Sequence, residues 1–240
     1  MVSKHIASAI EVVSGFMDHR YPVDIESICE EFGIKIKDDH PLDKDGYLIC
    51  RSGKKIILVD SRIANRHRKQ FIIAHELGHF LLHRDQLYSC DNISEVGQQK
   101  LNSYEQEKEA NAFATELLLP NQELKKYIPV GPITFADIFK IAKTFDVSVT
   151  HAAMQAIVAS NTESEVLICY ERQKRKWYTS ANRHTYSRMV PWQCPVHLTS
   201  ATVETNVTGI WAELYNGSVH QEIFCPFGEQ YLVLLSGNHR

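Results

Sequence analysis

Phe71-Ile72-Ile73-Ala74-His75-Glu76-Leu77-Gly78-His79-Phe80-Leu81-Leu82 decides how this chain is read, because it sets H-E-x-x-H inside an apolar run of helical length. Residues four apart on a helix lie one above the other, so His75 and His79 are expected on one side. Two neutral imidazoles at that spacing can share one Zn²⁺, each nitrogen about 2.0–2.1 Å from the ion. Glu76 lies about 100° around the helix from His75, near enough to reach a water on the ion without binding the ion itself. Composition alone would produce this pattern in about one chain in twenty. Its setting argues against chance. The neighbours are apolar nearly all the way round, so the helix is expected to be buried, and burying His, Glu and His together is costly without a compensating partner.

A catalytic zinc takes three protein ligands and keeps one position open. The next strong amphipathic segment, Tyr104 to Leu119, repeats apolar residues at Ala110, Phe113, Ala114, Leu117 and Leu118 and stops at Pro120. Of its acids Glu105, Glu107, Glu109 and Glu116, only Glu107 falls within the apolar arc on a helical projection, which makes it the expected third ligand. Asn111, four residues on, is placed to hydrogen-bond one of the liganding histidines. His83 repeats the four-residue spacing after His79 but stands about 12 Å from His75 along the axis, so one unbroken helix cannot bring all three to one ion. The longer zincin pattern with a third His after a Gly is absent. Tyr104 and His83 are both candidates to donate to a developing oxyanion, and the sequence does not choose between them. Zinc is the expected metal; Mn²⁺ or Fe²⁺ could also occupy a His₂Glu set.

The rest of the composition sets bounds. The chain has 240 residues, 44% hydrophobic and 23% charged, ordinary values for a globular protein with one good core and a smaller second domain. A net charge of −3 gives no global attraction to nucleic acid or acidic membranes. No apolar run approaches membrane-spanning length, and the first residues lead into a mixed helix containing Glu11 rather than a secretory leader. Six cysteines without C-x-x-C spacing suit reduced thiols in a cytoplasm. Oligomeric state is not legible.

In chain order, a helix is expected over 4–18 and another from the cap at Asp24 to Gly33. A small sheet follows, built from 34–37, 47–50 and 54–60, with the last strand a candidate to pair with an extended substrate. Two short helices after Ile133 evoke a helix-turn-helix, but Lys140 and Lys143 are the only Lys or Arg between Pro129 and Ser160, too few for phosphate binding. Beyond Asn161 to Glu165 the pattern turns to β-strands. The expected architecture is therefore α+β: a minimal zincin-like core over 1–126, a helical subdomain over 127–160, a linker over 161–165 and a small β-rich domain over 166–240. Cys194, His197 and Cys225 match no zinc framework and are expected as ordinary thiols and a surface histidine. Arg172, Lys174, Arg175 and Lys176 beside Trp177 and Tyr178 form a basic-aromatic patch, expected as a solvated hairpin in preference to a nucleic-acid contact.

Two motifs together carry a resemblance. Gln70 to His79, followed by Glu107-x-x-Ala110-Asn111-x-Phe113-Ala114-x-x-Leu117-Leu118-x-Pro120, resembles the ImmA/IrrE metallopeptidase family, and the Pro22-Val23-Asp24-Ile25 to Gly33-Ile34 pattern fits as well; the likeness spans roughly residues 20–158. It implies a small thermolysin-type zinc protease with Glu76 as general base and Glu107 as the glutamate ligand. It further implies a cytoplasmic endopeptidase, bacterial or carried on a mobile element. Its substrate would be a helix-turn-helix repressor, cleaved to derepress genes for the DNA-damage response or element transfer. Some family members bear a GAF-like sensor; segment 166–240 is shorter than a full GAF domain. The alternative is a protease-like fold acting as sensor or anti-repressor by occlusion, without cleavage.

Overall fold

The computed structural model describes residues 3–16, 21–83, 104–160, 165–181, 190–194, 202–207, 211 and 214–239. The chain divides into two units, Met1–Pro120 and Asn121–Arg240.

The first unit runs α1 (Lys4–Ser14), α2 (Ile25–Glu31), β1 (Ile34–Lys37), β2 (Gly46–Arg51), β3 (Lys54–Val59), α3 (Arg66–Leu82) and α4 (Tyr104–Leu118). Asp24 caps α2, its carboxylate accepting from the Ser27 N–H at 3.1 Å. Ser52 and Gly53, both at positive φ (49° and 76°), form the two-residue turn that pairs Arg51 with Lys54. The strand order is β1-β3-β2, with β1 parallel and β2 antiparallel to β3. This corrects the expectation that the 54–60 strand receives a substrate. β3 is flanked on both sides, whereas among the described residues β2 pairs only with β3.

α3 begins at the Asn65 cap, which accepts from the Arg68 N–H at 3.1 Å. It is buried on opposite sides because it lies between two layers. Towards the sheet, Ile72 packs so closely on Gly46 that a methyl there would come within 2.5 Å of its Cγ2. Towards α4, Gly78 lies against Ala110 and Phe113, where a methyl would stand 2.9 Å from the Phe113 ring and 3.3 Å from Ala110. Gly78 is thus a point of close approach between α3 and α4, the two helices that carry the site.

The second unit contains α5 (Asn121–Leu124), a 3₁₀ turn (Lys125–Tyr127), α6 (Phe135–Phe145) and α7 (Val149–Ser160). Strands β4 (Glu165–Glu171), β5 (Lys174–Ser180), β6 (Thr202–Val207), β7 (Tyr215–Phe227) and β8 (Gln230–His239) form one antiparallel sheet of order β5-β4-β8-β7-β6. Val166, Ile168, Tyr170, Val233 and Leu235 pack with Trp211 and Tyr215 in one core. The Trp211 indole N–H donates to the buried Gln221 at 2.7 Å. The chain divides after Pro120, so the helices expected as a subdomain share a unit with the sheet. Glu165, expected in the linker, is the first residue of β4 and only 1% exposed. Its carboxylate accepts the Ile133 N–H at 2.8 Å, while buried Glu222 of β7 accepts the Phe135 N–H at 2.6 Å. Two strand side chains therefore satisfy amides at the entry to α6, beside the local capping box of Thr134 and Asp137.

Candidate metal centre

One turn of α3 and the first half of α4 bring three donors together. His75 Nε2 and His79 Nε2 stand 3.0 Å apart; Glu107 places one oxygen 3.3 Å from the first and the other 3.5 Å from the second. The imidazole planes are inclined at 80°, with centroids 4.7 Å apart. A tetrahedral ion with ligands at about 2.0–2.1 Å needs donors about 3.3 Å apart. The three donors already have that spacing, and they are the group of His, Cys, Asp and Glu side chains among the described residues suited to hold one metal ion. Glu107 sits at the rim of the α4 core with its side chain 38% exposed, less buried than the helical projection implies; the fully interior polar residue on that turn is Gln106.

Electrostatics suit a cation. Burial pulls His75 below its ordinary pKa, with Glu107 opposing, and takes His79 down to about 3, with His75 and His83 adding to the effect. Both rings therefore present lone pairs at neutral pH without a proton to displace. Glu76 is buried, and desolvation followed by the Glu107 charge pushes its carboxyl up to about 7. The Leu48 backbone N–H and Lys44 act in the opposite direction. Leu48 belongs to β2, so the strand that stands at the edge of this sheet among the described residues is also the one beside Glu76.

Asn111 lies behind His75, with its Oδ1 3.0 Å from Nδ1. His83 does not face the reaction space: its Nδ1 lies 3.1 Å from His79 Nδ1, its Nε2 lies 3.1 Å from the Glu109 carboxylate, and it is only 5% exposed. This removes His83 as an oxyanion donor, because both ring nitrogens are engaged on the far side of His79. Tyr104 stands at the start of α4, 74% exposed, with Lys108 Nζ 4.1 Å from its ring centre. Two contributors were missed from sequence: Leu48, whose amide reaches Glu76 only through strand pairing, and Glu109, which falls off the apolar arc.

The basic-aromatic patch is largely self-paired. Arg172 meets Glu229 at 2.5 Å, Lys176 meets Glu171 at 2.9 Å, and the Arg175 guanidinium lies 5.4 Å from both the Tyr178 and Trp192 rings. Cys194 and Cys225 are half-buried thiols, and His197 lies outside the described residues. No helix among the described residues is long and apolar enough to cross a membrane.

An H-E-x-x-H helix laid on a small sheet and completed by a glutamate from the next helix is the architecture of a metallopeptidase domain. Residues 29–156 match the peptidase family described as IrrE N-terminal-like domain, and the chain belongs to that family. It is also similar to metallopeptidase ImmA of Bacillus subtilis (strain 168), 41% identical over 66 residues. That match takes in 27% of this chain and 36% of the relative, so it spans about a third of the relative's length. Among solved structures, a Mycobacterium tuberculosis transcriptional regulator shares the fold over 98% of this chain and 75% of its own, with a TM-score of 0.59 and 14% identity.

Proposed function

We propose that this chain is a zinc-dependent endopeptidase acting in the cytoplasm on a protein substrate, a helix-turn-helix repressor, and thereby derepressing genes. The observation that carries the reading is the convergence of His75, His79 and Glu107 beside a buried acid, Glu76, that none of them uses. His75 Nε2, His79 Nε2 and a Glu107 oxygen would hold the ion, with zinc as the first expectation and Mn²⁺ or Fe²⁺ as alternatives. When bound, it supplies Lewis acidity that acidifies water and polarises the scissile carbonyl. Glu76 takes the proton of the attacking water and delivers it to the leaving amide nitrogen, a function worth about 10²–10⁴ in rate. The Leu48 N–H opposes the rise in the Glu76 pKa by favouring its charged form. An extended substrate would add to the edge of β2 that is unpaired among the described residues, beside Glu76. With His83 withdrawn, Tyr104 is the oxyanion candidate, and Tyr104→Phe should lower kcat while leaving zinc affinity unchanged.

The test is incubation of the zinc-loaded chain with candidate helix-turn-helix repressors, followed by mass analysis of fragments. The wild type should give two fragments and Glu76→Gln none. Derepression that survives Glu76→Gln with the partner intact would assign occlusion instead.

A further inference from the structure

We propose that Glu109 and His83 form a relay that holds His79 in the tautomer a metal requires, so both are positioning residues of the centre. The assignment rests on the metal reading above and follows link by link. A carboxylate only accepts, so the 3.1 Å contact from Glu109 puts the His83 proton on Nε2. His83 Nδ1 is then an acceptor, and the 3.1 Å contact to His79 Nδ1 is made by a proton on His79. His79 Nε2 is left with its lone pair, 3.0 Å from His75 Nε2 and 3.5 Å from Glu107, where the ion would sit.

The two liganding histidines are thus set by different chemistry. Asn111 Oδ1, a neutral amide oxygen, fixes the proton on His75 Nδ1 directly. His79 is fixed through a second imidazole that ends on a carboxylate. The relay is sheltered along most of its length: the His83 side chain is 4% exposed and that of Glu109 37%. It also runs between helices, from α4 back to the last turn of α3, so it pins His79 across the same interface that Glu107 spans.

Two measurements test this. In metal-free protein labelled with ¹⁵N-histidine, long-range ¹H–¹⁵N spectra should show His79 and His83 as oppositely protonated rings, Nδ1–H and Nε2–H respectively. Zinc affinity, measured against a competing chelator, should fall about ten-fold in Glu109→Ala and less in Glu109→Gln, which keeps an acceptor oxygen. His83→Ala should lose between about 10- and 100-fold. The inference is overturned if His79 carries its proton on Nε2, or if Glu109→Ala, folded by circular dichroism, binds zinc within two-fold of wild type. Should His83→Ala fail to fold, Glu109→Ala decides, because its side chain lies at the surface edge. Should wild-type protein take up no zinc, the metal reading fails and the tautomer spectrum alone judges the relay.

Discussion

Gly78→Ala sets two known effects against each other. Replacing a glycine in the middle of a helix by alanine gains about 1 kcal/mol of backbone preference. Here the added methyl would lie 2.9 Å from the Phe113 ring and 3.3 Å from both the Cα and the carbonyl oxygen of Ala110. Phe113 and Ala110 are both fully buried, so neither can swing aside. Restoring ordinary contact requires α3 and α4 to part by about half an ångström, and overpacking of this kind costs about 1–3 kcal/mol. The net expectation is a loss of about 0–2 kcal/mol, a few degrees in thermal midpoint for a unit of this size. The larger effect falls on the metal centre, because His75 and His79 ride on α3 and Glu107 on α4. Such sites must be held to about 0.5 Å, so zinc affinity should drop about ten-fold while the far-ultraviolet circular dichroism stays unchanged. Thermal melts and chelator competition on the same preparations measure both quantities. A variant that melts at or above the wild type and binds zinc equally well would show that α3 and α4 are not locked at Gly78.

Glu76→Gln should remove peptide hydrolysis by about 10²–10⁴ while keeping one zinc per chain by elemental analysis; retained hydrolysis would dismiss Glu76 as the proton carrier. His151 should make folding sensitive to mild acid. Burial takes its pKa from 6.5 to about 4, so the unfolded chain binds the proton more tightly. Its contribution, at most about 3 kcal/mol, is fully present above pH 6.5 and fades as pH falls towards 4. Urea unfolding at pH 7.5 and 4.5 should show that slope, and His151→Leu should flatten it. Joint neutralisation of Arg172 and Lys174 should leave nucleic-acid retention unchanged, because Arg172 is already paired with Glu229. Steep salt-dependent binding abolished by that pair of changes would reinstate the patch as an interface.

Much of the centre is visible in the sequence because its geometry is local. The four-residue step from His75 to His79 is fixed by the helix itself, and the α4 periodicity singles out Glu107 from three neighbouring acids. What escaped depends on chain segments meeting. The Ser52-Gly53 turn announces the β2–β3 hairpin, but nothing local says that β1 will take the other side of β3 and leave β2 at the edge. For the same reason the Leu48 amide beside Glu76 had no sequence signal. Glu109 had one: a histidine four residues past a liganding histidine, once buried, needs an acceptor, and the next helix supplies it. Glu165 was misread because a charged residue among Asn, Thr and Ser normally marks solvent, whereas here it is buried at the start of β4 and its carboxylate accepts the Ile133 N–H.

That last bond and its counterpart at Glu222 limit how the protein can be cut. The partners are 32 and 87 residues apart in sequence, so a fragment ending at Ser160 would keep the helices yet strip two backbone donors of their acceptors. Each amide would exchange a buried carboxylate for water, a loss of about 1.5–3 kcal/mol per bond. Synthesis from the N-terminus meets the same constraint: the helices emerge first, but their docking waits until β7 has left the ribosome.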